Sequence, residues 1–264
     1  MGTAISITGL LNPNLWGMDP IVWRVNYFDE IDSTNTWLAQ RARENAAEGE
    51  VAYARYQSAG RGRLERVWDA VPGSSLLCSL LLRPPLSPQE LQWAVACVAL
   101  GARAALVRLS GVRPTLKWPN DLMVGEKKLA GLLAEFVPAS NNSAVVVGIG
   151  INLSDSGSED PRATSILAEA GVTLTPRGLL DILLEEVEQR RRLLDDHAGR
   201  DRLREEYERA LSTLGQIVRV QTHTETVVGE ARRVDDAGQL VVLVDGTERV
   251  FSAGDVVHAR VGAK

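Results

Sequence analysis

The chain has 264 residues, 45% hydrophobic and 24% charged, the composition of a soluble globular protein with room for one large domain and one small one. Lys and Arg total 29 against 34 Asp and Glu, and the resulting formal charge of -5 argues against nucleic acid as the main partner. No apolar run reaches the length of a membrane span, because Arg103 interrupts the longest, and the N-terminus has no basic, cleavable leader; a cytoplasmic protein without a membrane partner is expected.

Before Val22, Asn12-Pro13-Asn14 and Asp19-Pro20 are turn chemistry rather than periodic structure. Val22 to Ile31 reads as a strand, and Asp32-Ser33-Thr34 offers an N-cap for a helix over Trp37 to Ala47. Val51 to Ala54 is a strand leading into Gln57-Ser58-Ala59-Gly60-Arg61-Gly62-Arg63, and Leu76 to Leu82 is a buried strand stopped by Arg83-Pro84-Pro85. Ser87-Pro88-Gln89-Glu90 is a capping box opening a helix from Leu91 to about Val107, apolar nearly all round and therefore buried. Leu129 to Phe136 and Ala144 to Leu153 are two more strands, followed by a polar surface loop from Ser154 to Arg162. Thr175-Pro176 caps a helix that continues in charged amphipathic form to about Leu211.

After Gly215 the texture changes. Ile217 to Val220, Val227 to Val234, Leu240 to Val244 and Arg249 to Phe251 are short alternating strands, joined by hairpin-type turns at Asp235-Asp236-Ala237-Gly238 and Asp245-Gly246. Such a tail predicts a small β-barrel appended to a mixed α+β domain. Cys78 and Cys97 sit in apolar surroundings and read as buried thiols of a reducing compartment. His197, His223 and His258 are scattered and form neither a zinc pattern nor a triad. Met1-Gly2 with Ser6 fits the loose myristoylation pattern, which chance often produces.

The stretch Gln57 to Arg63 combines small residues with fixed positive charge. Glycine lets a backbone lie close to a ligand, and guanidinium groups grip carboxylates or phosphates bidentately. An anionic small molecule enclosed by a loop is expected. The common phosphate motifs are absent: there is no G-x-x-x-x-G-K-[ST], and the dinucleotide fingerprint fails at Glu65 and again at Leu153. H-E-x-x-H, C-x-x-C and G-x-S-x-G are missing as well.

Seven pieces occur together and in order: Asp32-Ser33-Thr34-Asn35, Gln57, Gly60-Arg61-Gly62-Arg63, Arg66 with Trp68, Lys117-Trp118-Pro119-Asn120-Asp121, Lys128-Leu129-Ala130-Gly131, and Gly148 to Leu153. On these pieces the chain resembles the biotin protein ligases, over roughly Val22 to Leu167. Its β-rich tail looks like that family's C-terminal SH3-like domain. The implied fold is α+β, a mixed sheet flanked by helices of the class II aminoacyl-tRNA synthetase type, with a catalytic domain over 1–214 and the β domain over 215–264. One position departs from the family pattern: glycine is usual where Glu65 stands.

The resemblance implies an ATP- and Mg²⁺-dependent activation of biotin to biotinyl-5'-AMP, then transfer of biotin to a lysine of a biotin carboxyl carrier protein domain. Two anions must meet, so fixed cations in a water-excluding site are required. Lys128 is assigned the bridging ammonium and Arg63 the phosphate, with Arg61, Gly62 and Arg66 in the closing loop. Ser33, Thr34, Asn35 and Gln57 would hold the ureido ring. Arg61, Gly62, Arg63 and Lys128 would complete the biotin site. Arg63, Arg66, Trp68, Lys117, Asn120 and Asn152 would hold ATP. Asp121 is the candidate for Mg²⁺ and for the proton of the acceptor amine, whose usual pKa near ~10.4 keeps it charged at neutral pH. Gly148 and Gly150 are expected to allow the backbone close to the ligand.

A lipoate ligase or octanoyltransferase would keep the lysine but lack the arginine loop. A biotin-responsive DNA-binding repressor would need an N-terminal helix-turn-helix domain, and only about twenty residues precede the first expected strand. No nucleic-acid partner is expected. Oligomeric state stays open, a homodimer being one option.

Overall fold

Two of the apolar runs become the central pair of an eight-stranded mixed sheet. They are β4 (Ser75–Leu82) and β8 (Ala144–Asn152), and the whole of β4 is buried because both faces of the sheet are covered there. In this computed structural model residues 4–7, 20–139, 143–158, 160–222, 224–252 and 254–258 are described. The turn expected at Asn12-Pro13-Asn14, the Met1-Gly2 pattern, His223 and the Glu65 side chain lie outside them.

Around that pair the sheet runs β1 (Ala4–Ile7), β2 (Trp23–Ile31), β3 (Glu50–Gln57), β4, β8, β7 (Lys127–Val137), β6 (Asp121–Val124) and β5 (Thr115–Lys117). Among the described strands β2 and β3 alone pair in parallel, across the helix α1 (Thr34–Arg43) that connects them. Strand β1 corrects the reading of the N-terminal segment as turns alone: Ala4–Ile7 pairs antiparallel with β2. The short strands β5 and β6 lie in a segment given no element from the sequence, since three and four residues are too few to show a period.

Side-chain alternation divides the two layers. Ala52, Leu81 and Val146 face α1, packing under Leu38, Ala39 and Ala42. Val51, Leu80 and Val147 point the other way, into the larger core beneath α2 (Leu91–Ser110) and α4 (Pro176–Arg191). The capping box at Ser87 forms as expected, with the Ser87 amide and hydroxyl both donating to Glu90 Oε2 at 3.0 and 2.7 Å. By length and composition Pro88–Ser110 passes as a membrane span, mean hydropathy 1.5, contrary to the expectation drawn from Arg103. In the fold 67% of that window is buried inside the protein, as befits a core helix.

The single long helix expected from Thr175 to Leu211 is two. After α4 a short 3-10 turn, Arg192–Leu194, precedes α5 (His197–Ala210), and the Asp196 carboxylate caps it by accepting from the Gly199 amide at 2.7 Å. Asp at this position satisfies the amides of a new helix start better than it serves a helix interior. The break also lets buried Arg191 reach Glu48 Oε1 at 2.6 Å and Asp195 Oδ1 at 2.5 Å. Glu48 further accepts the Arg83 amide. Glu48→Ala is expected to destabilise the protein by about 2 kcal/mol, because it removes one of two carboxylates from a desolvated guanidinium; urea denaturation measures this. Another short helix, α3 (Ile166–Ala170), follows the polar loop.

The tail forms a five-stranded antiparallel sheet in the order β12 (Thr247–Phe251), β11 (Leu240–Val244), β10 (Thr226–Val234), β9 (Ile217–Gln221), β13 (Asp255–His258). Four of these strands were legible by alternation; β13 is an addition. The sheet is docked, not dangling: Trp93 Nε1 donates to Asp236 O at 2.7 Å and Trp118 Nε1 to Gly238 O at 3.1 Å, so its β10–β11 hairpin turn sits on α2 and on the Trp118-Pro119 segment. The Trp118–Pro119 peptide is cis.

Candidate active site

A cleft of about 540 Å³ opens on the α1 face of the large sheet, beside the N-terminus of α1, within the size range of small-molecule sites. Its floor is made by β4, β7 and β8, where Ser79 pairs with Gly148, and Gly131 with Gly150. Two glycines there are obligatory. A Cβ on Gly148 would lie 2.2 Å from Asn35 Oδ1, and one on Gly150 2.4 Å from the Trp68 indole. Both line the cleft, and the side chains packed closest over them are Asn35 and Trp68.

At one end of the cleft neutral polar groups form a connected set. Ser33 caps α1, which puts Thr34 and Asn35 in the first turn, where both are buried. Gln57 Oε1 accepts from the Thr34 amide at 2.8 Å and the Thr34 hydroxyl at 2.9 Å. Ser79 Oγ lies 2.7 Å from Thr34 Oγ1 and 2.6 Å from Asn35 Oδ1. A hydroxyl has one hydrogen, so Ser79 serves one of these acceptors at a time.

The other end is charged. Lys128 Nζ stands 2.6 Å from Asp121 Oδ1 and 5.8 Å from the centroid of the Trp68 ring. A β-bulge brings this about: Leu122 opposes Ala130 but Met123 opposes Lys128, so Leu129 is the extra residue. Without the bulge Lys128 would fall on the face opposite Asp121 and Gly131; with it the ammonium joins them on the cleft side. Burial holds the Lys117 ammonium below its ordinary pKa, with Lys128 and Arg162 adding repulsion and Asp121 opposing. A bound anion would relieve that cost.

The arginine stretch folds as a hairpin-like arm from Gly60 to Trp68, closed by Trp68 N donating to Gly60 O at 3.0 Å and Gly62 N to Arg66 O at 2.7 Å. Its tip is a 3-10 turn in which Leu64 is left-handed (φ 54°, ψ 41°). Each arginine goes to a different anchor. Arg61 Nη2 reaches Glu135 Oε1 at 2.6 Å, Arg63 Nη1 donates at 3.4 Å to both Asn120 Oδ1 and Gly254 O, and Arg66 pairs with Asp255. Burial lowers the Arg63 pKa, and among the described residues no carboxylate lies within ion-pair distance of it. Arg63 is thus a desolvated cation held by neutral acceptors. The tail sheet supplies two of these anchors, so it forms a wall of the cleft.

All the site residues expected from the sequence except Asn152 line this cleft. Asn152 is buried one pleat beyond Gly150, its Nδ2 donating to Thr164 O at 2.9 Å and its Oδ1 with no hydrogen-bond partner among the described residues. The Trp68 Nε1 is likewise buried and unpartnered. Sequence reasoning missed Asp255 and Arg162, which line the cleft, and Ser79 and Glu135, which lie behind its lining and hold Asn35. Ser79 and Glu135 had left a signal, as lone polar residues inside apolar strand runs. The polar loop expected at the surface brings Asp160 and Arg162 to the cleft, because Lys128 N donates to Arg162 O at 2.6 Å. The neighbouring Arg162 guanidinium draws the Asp160 carboxyl down to about 2.

A model of the Biotin/lipoate A/B protein ligase family matches residues 27–152, and one of the biotin protein ligase C-terminal domain matches residues 213–259. The biotin--[acetyl-CoA-carboxylase] ligase of Mycobacterium tuberculosis is 36% identical over 247 residues, covering 90% of this chain and 90% of that protein. The bifunctional ligase/repressor BirA of Bacillus subtilis is 30% identical, over 86% of this chain and 72% of that one. In fold, the chain is similar to a biotin protein ligase from Aquifex aeolicus in complex with biotin and ATP, with a TM-score of 0.75 at 24% identity over 89% of this chain and 99% of that one. The chain belongs to the biotin protein ligase family.

Proposed function

We infer that the protein joins biotin to ATP, giving biotinyl-5'-AMP and pyrophosphate, and then passes biotin to a lysine of a biotin carboxyl carrier protein domain. The observation that carries this reading is the polarity of the cleft. Hydroxyl and amide groups suited to a neutral urea lie at one end, and Lys117, Lys128 and the desolvated Arg63 at the other.

The ureido ring is placed against Ser33, Thr34, Asn35 and Gln57, which sends its carboxylate towards Lys128. An oxygen of that carboxylate attacks the α-phosphorus and the bond to pyrophosphate breaks. Lys128 and Arg63 offset the charge gathered where the two anions meet. The unpaired Asn152 Oδ1 is an acceptor suited to the exocyclic amine of adenine, and Asn120, Arg66, Lys117 and Trp68 are placed around the nucleotide. In the second step the carrier amine attacks the acyl carbonyl and AMP leaves, with Asp121 proposed as proton acceptor.

Among the described residues no three His, Cys, Asp or Glu side chains converge on a metal position. This fits Mg²⁺ carried on the nucleotide phosphates with Asp121 as one protein ligand. Bound there, the metal would screen phosphate charge. The same reading makes this a soluble, cytoplasmic enzyme with a carboxylase carrier as its protein partner.

Incubation with ATP, Mg²⁺, biotin and a carrier domain should raise the carrier mass by one biotinyl group. Pyrophosphate exchange that depends on lipoate and not on biotin would overturn the assignment. Arg63→Gly is expected to release the adenylate about tenfold faster, by loss of a charged hydrogen-bond donor, and to label lysines of bystander proteins; an unchanged release rate removes Arg63 from that role.

A further inference from the structure

Nothing in the motif set points to Glu135, yet its carboxylate joins the two halves of the biotin end. A single oxygen, Oε1, accepts from Arg61 Nη2 at 2.6 Å and from Asn35 Nδ2 at 3.0 Å. Asn35 is otherwise fully constrained. Its other amide hydrogen is directed to Leu133 O at 3.2 Å, its Oδ1 lies 2.6 Å from Ser79 Oγ, and Gly148 leaves no room beneath it. A chain of contacts therefore runs from Gln57 through Thr34, Ser79 and Asn35 to Glu135, with the Ser79 hydrogen on Thr34 or Asn35 in turn, and through Arg61 into the arm.

We propose that Glu135 is a positioning residue that fastens the arginine arm to the floor of the biotin pocket, so that occupancy of the floor and closure of the arm reinforce each other. Arg63 and Arg66 are tied to Asn120 and to the tail sheet, away from the neutral end. Among the arm's anchors, the Arg61 contact alone shares an acceptor atom with a residue of the floor. Displacing Asn35 moves the acceptor that holds Arg61, and opening the arm removes the cation that polarises the same oxygen. The ion pair itself is half exposed, with Arg61 at 47% and Glu135 at 29%, so as a stabilising contact it is worth little. Its effect belongs on ligand retention instead.

This inference rests on biotin lying against the Ser33 to Gln57 floor, and the experiment separates the two claims. Biotin affinity by calorimetry, adenylate release rate and melting temperature are measured for Glu135→Ala, Glu135→Gln, Arg61→Ala, the Arg61→Ala/Glu135→Ala double variant and Gln57→Ala. Glu135→Ala should weaken biotin and speed adenylate release by about tenfold each, the loss of a charge-assisted hydrogen bond, with melting within about 2 °C of the parent. Glu135→Gln keeps an acceptor for both donors and should recover part of both effects. In adenylate release the double variant should be no worse than the worse single one, the mark of residues acting as a unit. Additive release rates, or Glu135→Ala with parental affinity and release, overturn the proposal. Gln57→Ala reports on the premise: unchanged biotin affinity there removes biotin from this floor and Glu135 with it. Weakened affinity there beside parental behaviour of Glu135→Ala removes Glu135 alone.

Discussion

Lys128→Ala is expected to slow biotin-dependent ATP–pyrophosphate exchange by about 10²–10³-fold, the usual cost of removing one preorganised charge-stabilising donor. The loss is compounded locally. Asp121 lies 2.6 Å from the ammonium, and without it a carboxylate faces the point where two further anions must meet. Stability should hardly change, since the pair is 38% and 22% exposed and such pairs contribute about 1 kcal/mol or less. Lys128→Arg should rescue poorly, because a planar guanidinium does not replace a compact ammonium packed beside the Trp68 ring. Near-parental exchange in Lys128→Ala would exclude Lys128 from the activation step.

Gly148→Ala is expected to weaken biotin binding by about 100-fold or more while costing about 1–3 kcal/mol of stability, the range for an overpacked buried site. Strand β8 cannot yield, because it is hydrogen-bonded to β4 on one side and β7 on the other. The strain therefore falls on Asn35, whose Oδ1 would lie 2.2 Å and whose Cγ 3.0 Å from the new methyl. Moving that amide breaks its contacts with Ser79, Leu133 and Glu135 together. Calorimetry with biotin measures the result, and an affinity within about threefold of the parent would show that biotin does not depend on this floor.

Much of the fold was legible locally. The apolar runs at Leu76–Leu82 and Ala144–Leu153 could only be buried strands, and the Ser87 capping box and the alternating tail declared themselves through spacing. The break between α4 and α5 was not legible, because Asp195-Asp196 lies in a charged amphipathic stretch. It takes Glu48 and Gly199 to show that the chain turns there. Strand β13 was hidden for a different reason: four residues make sense as a strand only once β9 offers an edge.

The site divides along the same line. By itself the sequence determined the chemical inventory: a run of guanidinium groups, two lysines beside a carboxylate, hydroxyl and amide groups at a helix start, and glycines where side chains would intrude. Only the tertiary structure decided which groups meet. A single bulged residue, Leu129, turns Lys128 to the face of Asp121; pairing of β7 with β8 sets Glu135 between Asn35 and Arg61; and the docked tail sheet brings Asp255 and Gly254 to the arm. The physical reason is that residue type fixes what a group can bind, whereas strand register and the docking of one sheet on another fix where it points. Those are long-range choices, and a one-residue shift in either would have put the same groups on opposite faces.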